Sequence, residues 1–235
     1  MSIKRILLAG LTVTSAAAAW PARAETVGEA TRVRLVAYQT PPAANRETVY
    51  RLSPILRNAK LETVAEAAME VTFVDGSTLT LGPSSESVVD EFVYTGPGST
   101  SQQAIKLTKG VFRFISGAVQ KDKVKLQTPT ATVGIRGTIV RAKVQPGSDT
   151  TIFFEQGSGE VCGANAKCAA MAQGDMVKID SRGNLSAPEQ KSWSTGDEAT
   201  DLGMGVFGRQ FRGPDAGGGG NDGGSDPGGG SGNNR

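Results

Sequence analysis

Apolar and polar residues alternate with a period of two in at least six segments between residues 28 and 182. Successive side chains of a β-strand point to opposite faces, so this period is typical of strands with one buried face. Turn residues interrupt the segments about every 8–12 residues, as in β-sandwiches. We therefore predict an all-β fold, either a two-sheet sandwich or a short solenoid-like domain of about ten or more strands. The expected core consists of Phe73, Leu79, Leu81, Phe112, Phe114, Val133, Ile135, Val140 and Ile152.

The region before residue 65 has weaker strand signals. Thr31–Val36 alternates like a strand, and Tyr50, Leu52 and Ile55–Leu56 suggest a further pair of short strands. We interpret residues 25–64 as N-terminal strands that complete the domain.

Residues 127–138 combine a proline, two glycines and an arginine with β-branched residues. Pro129 lacks a backbone N–H, which makes a fully paired interior strand position unfavourable for it. Gly134 and Gly137 mark places where the chain bends, bulges or is approached closely by another backbone. We predict a central strand with a shaped interruption, in which Arg136 either pairs with a carboxylate to pin the strand or contacts a ligand.

This stretch resembles the signature of the FecR domain family, T-P-x-A-x-x-G-(V/I)-R-G-T. The matching residues are Thr128, Pro129, Ala131, Gly134, Arg136, Gly137 and Thr138. Three further segments resemble family motifs in the right order: Phe73–Gly82, Asp90–Tyr94 and Lys109–Gly117. Four ordered motifs make the resemblance specific, and it covers roughly residues 65–182.

The resemblance implies that Lys60–Met69 forms two strands that turn near Glu66, although its apolar spacing would also suit a short helix. We favour the strands, because sheet context overrides ten weakly amphipathic residues. FecR proteins are best known as inner-membrane regulators. Their periplasmic part receives a signal from an outer-membrane iron–siderophore receptor, and their cytoplasmic end controls a sigma factor. The resemblance identifies a domain, not an activity, and it names neither a ligand nor a partner.

The two ends of the chain differ from the domain in composition. Residues 1–24 are typical of a secretory signal, with a basic start, a short apolar core and a cleavage site after Ala24. An uncleaved membrane anchor is the alternative, but the apolar run is short for a span and Pro21 interrupts it. Residues 183–215 form an extension of the domain. Half of residues 216–235 are glycine, so we expect a disordered tail.

The composition excludes several kinds of chemistry. The chain contains no histidine, which removes Ser-His-Asp and Cys-His arrangements and histidine metal ligands. Three of the 25 basic residues lie in the secretory signal, leaving 22 against 23 acidic residues, so a basic nucleic-acid-binding protein is not suggested. We therefore expect no catalytic residues, no cofactor, no metal site and no transmembrane span in the mature chain.

Cys162 and Cys168 are the only cysteines. Export would place them in an oxidising compartment, where such a pair is usually bridged. Small or turn-forming residues between them would let the ends of a loop over Glu160–Cys168 meet. Two separate buried thiols remain the alternative.

Together these features predict an exported, non-catalytic FecR-like interaction or sensing module of the bacterial cell envelope, either periplasmic or secreted. Its partner would be a protein or another envelope component. The alternative is a carbohydrate- or envelope-polymer-active protein, which would need an aromatic-lined groove with two converging carboxylates.

The secretory signal can be tested directly. Cleavage after Ala24 should leave Glu25 as the first residue of the exported form, because Ala22 and Ala24 provide the small residues that the site requires. Intact-mass measurement on protein from the periplasm checks this. A mass that includes residues 1–24 would show that the segment is retained as an anchor.

Overall fold

The computed structural model describes residues 25–93, 102–117, 124–147 and 149–191, with the backbone alone for residues 91–93, 102, 103 and 136. Several predicted features lie outside the described residues: the secretory signal at 1–24, most of the extension at 183–215 and the tail at 216–235.

The described residues form fifteen β-strands and no helix, which confirms the all-β prediction. The strands are β1 (Thr26–Arg34), β2 (Ala37–Thr40), β3 (Glu47–Val49), β4 (Pro54–Leu56), β5 (Lys60–Thr63), β6 (Ala68–Phe73), β7 (Thr78–Leu81), β8 (Glu86–Val93), β9 (Gln102–Ile115), β10 (Val124–Gln127), β11 (Ala131–Val144), β12 (Thr150–Gly163), β13 (Cys168–Met171), β14 (Asp175–Ile179) and β15 (Glu189–Gln190).

Three strands, β9, β11 and β12, are 14 residues long, and their two halves have different neighbours. The first half of β9 pairs with β8 and, in parallel, with β10, whereas its second half pairs with β7 and β11. In the same way β11 pairs first with β10 and then with β9, and β12 pairs first with β14 and then with β13. Each long strand therefore passes from one sheet into another.

The shared strands divide the pairing network into two sheets. Sheet 1 contains β4, β1, β6, β7, the second halves of β9 and β11, the first half of β12, β14 and β15. Sheet 2 contains β3, β2, β5, β8, the first half of β9, β10, the first half of β11, the second half of β12 and β13. Strands that change sheets at bends are a known way of making the corner of a β domain.

Glycines lie where the long strands change sheets. Gly137 and Gly157 have φ angles of 56° and 84°, which other L-residues adopt only with strain. A Cβ on Gly157 would lie 2.5 Å from the carbonyl oxygen of Gly137, so the two corners touch through backbone atoms. At Gly110 a Cβ would overlap Ser85. The predicted interruption is thus confirmed at Gly137, whereas Gly134 has open space at its Cβ position.

All nine residues of the predicted core belong to one buried hydrophobic cluster. Phe112 and Phe114 contribute from sheet 1, and Val133 and Ile135 contribute from sheet 2. The side chains of both sheets therefore form one core.

The segment Lys60–Met69 forms strands, as the resemblance implied. β5 and β6 are joined by a turn in which Glu66 has a φ of 60°. β5 pairs with β2 and β8, and β6 pairs with β1 and β7. Strand partners on both sides outweigh the weak helical spacing.

The predicted loop over Glu160–Cys168 is wrong in its extent. β12 continues to Gly163 and β13 begins at Cys168, so only residues 164–167 turn. The sequence of residues 160–163 has no clear strand pattern, yet each of these residues pairs with a residue of β11. A Cβ on Gly163 would meet the carbonyl of Gly183, so a small residue is required there.

The corner can be tested by comparing two glycines. Gly157→Ala should destabilise the fold by about 2–4 kcal/mol, since it adds left-handed strain and overlap with backbone. Gly147→Ala is the matched control: its φ is 74° but its Cβ position is open, so only the strain of about 1–2 kcal/mol applies. Urea unfolding of both variants measures the difference. Equal losses would contradict the close approach at Gly157.

Candidate functional site: an exposed apolar end of sheet 2

The first residues of the FecR signature turn the chain into β11. The Ala131 N–H donates to the Thr128 hydroxyl oxygen at 2.9 Å, and the Thr128 N–H donates to the Ala131 carbonyl at 2.8 Å. Pro129 lies inside this turn, between β10 and β11, where no hydrogen bond of a strand requires a backbone N–H from it. These residues therefore stabilise the turn before β11. Pro129 lies outside the paired strand positions, as predicted.

The last residues of the signature fasten the corner of β11. The buried Thr138 receives the Ser116 N–H on its carbonyl at 3.1 Å, and its own N–H donates to the Ser116 hydroxyl at 2.8 Å. Its hydroxyl donates to the Ser158 carbonyl at 3.0 Å, which ties β11 to β12. The side chain of Arg136 lies outside the described part of the structure, so both of its predicted roles stay predictions.

A cluster of three charged side chains lies on the outer face of sheet 1. Arg113 donates to both carboxylate oxygens of Glu155, at 3.1 and 3.2 Å, and Arg141 donates to one of them at 2.8 Å. The arginines face each other on β9 and β11, and their side chains are only 10% and 13% exposed. No pattern in the sequence indicates this cluster, because only the register between strands places the three residues together.

The cluster keeps Glu155 ionised. Burial raises the pKa of this carboxyl group, but the hydrogen bonds and charges of Arg113 and Arg141 outweigh it and lower the pKa below its ordinary value. A general base that works near neutral pH needs the opposite shift. The arrangement is therefore suited to holding β9, β11 and β12 together rather than to proton transfer.

The predicted disulfide is confirmed. Cys162 and Cys168 are directly opposite on β12 and β13, with an S–S distance of 2.08 Å. The Glu160 carboxylate lies near both sulfur atoms, but sulfurs bonded to each other do not provide the thiolates of a metal site. The bridge closes the β12–β13 hairpin.

A cavity of about 270 Å³ lies where β9 meets the turn before β11. Its lining contains no aromatic ring and no carboxylate. This cavity therefore lacks both features that a polymer-active site would need. It is lined by Lys106, Leu107, Thr108, Gln127, Thr128 and Pro129.

Large apolar side chains are exposed at one end of sheet 2. Ala37 of β2 pairs with Val49 of β3 and with Thr63 of β5. The next residue outward on each strand is therefore Val36, Tyr50 or Val64, and the Val64 N–H donates to the Val36 carbonyl at 3.3 Å. We call the surface formed by Leu35, Val36, Tyr50, Leu52 and Val64 the apolar end.

Exposure is highest for Tyr50, Leu35 and Leu52, at 68%, 60% and 58%. Leu35 and Leu52 also have left-handed φ angles of 57° and 69°. This conformation costs a residue with a Cβ about 1–2 kcal/mol. Core packing does not explain the two leucines, because their side chains point largely into solvent.

The apolar end corrects two expectations. Leu35 and Val36 were predicted to lie within a strand, but β1 ends at Arg34. Tyr50 and Leu52 lie in the turn between β3 and β4, not in a strand. In that turn the Tyr50 N–H donates to the Ser53 hydroxyl and the Leu52 N–H donates to the Ala30 carbonyl. Alternation alone does not show where a strand stops pairing, so buried and exposed apolar residues look alike in the sequence.

Residues 59–158 match the family model described as FecR protein. The chain therefore contains a FecR domain over these residues. The match excludes β1 to β4, and with them all of the apolar end except Val64.

Two crystal structures of a protein described as a putative anti-sigma factor from Parabacteroides distasonis ATCC 8503, at 2.50 and 1.65 Å resolution, are similar to this chain. For each the identity is 14% and the TM-score is 0.46, over 57% of this chain and 60% of the solved chain. This chain thus spans less than two thirds of their length, and a likeness of this extent carries no information on function. No curated protein matches the sequence. The described residues include no helix that is long and apolar enough to cross a bilayer.

The charged cluster makes a pH-dependent prediction. Glu155→Gln should lower the free energy of unfolding at neutral pH by about 2–4 kcal/mol, because it removes the carboxylate charge that two largely buried guanidinium groups share. The lowered pKa means that the stabilisation is present above the unfolded value near 4.5 and is lost as pH falls through the folded value. The difference between wild type and variant should therefore shrink in acid.

Urea unfolding at neutral and acidic pH measures this difference. Glu160→Gln, at an exposed carboxylate on the same strand, is the control and should change stability by less than about 0.5 kcal/mol. A constant difference between wild type and Glu155→Gln across the acid range would contradict the assigned ionisation.

Proposed function

We propose that this protein is an exported, non-catalytic module of the bacterial cell envelope that recognises a protein partner in cell-surface signalling. The FecR domain supports the signalling role through what is known of that family. The observation that carries the proposal is the apolar end. Exposed apolar surface is costly in water, and a contiguous patch marks an interaction site more often than single exposed residues do.

Two features support export. Residues 1–24 have the pattern of a secretory signal. The Cys162–Cys168 bridge fits an oxidising compartment such as the periplasm, since stable disulfides are rare where thiols are kept reduced.

Two features support a binding rather than a catalytic role. The chain has no histidine, the most common general acid and base. The partly buried Glu155 carboxylate accepts hydrogen bonds from two arginines, which leaves it poorly suited to proton transfer. Function would then depend on surface recognition, with the strained corners and the charged cluster holding the surface in shape.

Photo-crosslinking in cells of the natural host tests the proposal. A photoreactive phenylalanine derivative at Tyr50 should give a discrete protein adduct in the envelope fraction, because this side chain is 68% exposed within the apolar end. The same group at Val74, which is 54% exposed in the turn between β6 and β7, is the control and should give no such adduct. Identical adducts at both positions, or none at Tyr50, would contradict a partner at the apolar end.

A further inference from the structure

We infer that the apolar end binds a protein segment in which large apolar residues are flanked by carboxylates. The inference rests on the proposed function, which supplies a protein as the partner, and it adds the chemistry of that partner. The first observation is the position of the arginines. Arg34 directly precedes Leu35, Arg51 lies between Tyr50 and Leu52, and both arginines are exposed.

Arg51 differs from Arg46 and Arg57, two other arginines of the N-terminal region, because it has no carboxylate partner among the described residues. Arg46 pairs with Glu62 and Arg57 pairs with Glu25, at 3.3 and 2.9 Å. Arg51 forms no ion pair with the part of the chain that the structure describes. Arginine and tyrosine beside apolar side chains are the residues that dominate binding energy at protein interfaces. An acidic partner would complement this charge and associate faster.

The second observation is the backbone at the two leucines. The left-handed conformation favours glycine or asparagine, yet both positions carry leucine with its side chain in solvent. Folding alone would therefore be served better by asparagine. The strained leucines are explained if their side chains contact a partner.

A third observation favours a protein over a lipid surface. β3 leads directly into Tyr50 and pairs with β2 alone among the described strands. Its other edge offers main-chain donors and acceptors next to the apolar end. An extended peptide can add to such an edge while its side chains contact the apolar residues. Lipids have no main-chain groups that could pair in this way.

The double variant Leu35→Asn, Leu52→Asn separates binding from folding. Asparagine tolerates the left-handed conformation, so the melting temperature should stay the same or rise while the apolar surface is lost. Val74→Asn is the matched control, since it removes an exposed apolar side chain outside the apolar end. Arg51→Glu reverses the charge at the surface, and Lys178→Glu, at an exposed position on β14, is its control.

The probe is a displayed library of random peptides, selected on the purified full chain. We expect selected peptides to share large apolar residues flanked by aspartate or glutamate. A synthetic peptide of that sequence should bind the leucine double variant at least about tenfold more weakly than the wild type. Arg51→Glu should also weaken binding and reduce its salt dependence. Val74→Asn and Lys178→Glu should bind like the wild type.

Any of the following outcomes would overturn the inference. The selected peptides could lack acidic residues, or bind the leucine double variant as well as the wild type. Binding to vesicles of phosphatidylcholine and phosphatidylglycerol that the double variant loses would identify a membrane surface instead. Self-association in sedimentation that the double variant loses would identify a second copy of this chain. If a discrete adduct forms at Tyr50 in cells but the selected peptides lack acidic residues, the proposed function stands and only this inference is overturned.

Discussion

Three strands shared between two sheets constrain the rest of this structure. β9, β11 and β12 each change sheets about halfway along, and Gly137 and Gly157 take left-handed φ angles where β11 and β12 turn. The backbones of these two corners approach so closely that a Cβ on Gly157 would collide with the Gly137 carbonyl. Since the same strands contribute side chains to the core from both sheets, a change at a corner affects pairing and packing together.

The outer face of sheet 1 reinforces the same three strands with charge. Glu155 of β12 accepts hydrogen bonds from Arg113 of β9 and Arg141 of β11. A carboxylate shared by two guanidinium groups is costly to bury but also costly to break, so its main consequence is specificity of register. The Thr128 turn, Gly137 and Thr138 of the FecR signature and this cluster therefore all help to define the path of the long strands.

The surface that does suit a partner lies mostly outside the region that matches the family. Leu35, Val36, Tyr50 and Leu52 belong to the N-terminal strands and their turns, before residue 59. A scaffold with a separate recognition end would let domains share a fold while binding different partners. In this arrangement the corners define the fold, and the exposed turns form the surface proposed for binding.

The sequence by itself determined the all-β class, the nine core residues, the interruption at Gly137 and the Cys162–Cys168 bridge, because alternation, glycine and paired cysteines are local signals. Only the tertiary structure decided that the long strands change sheets, that Glu155 meets two arginines, and that Leu35 and Leu52 are exposed. The physical reason is register. Contacts between segments that are distant in the chain decide which residues lie opposite each other and where a strand stops pairing. The period-two pattern does not reveal this, because it is the same for a leucine in the core and a leucine in solvent.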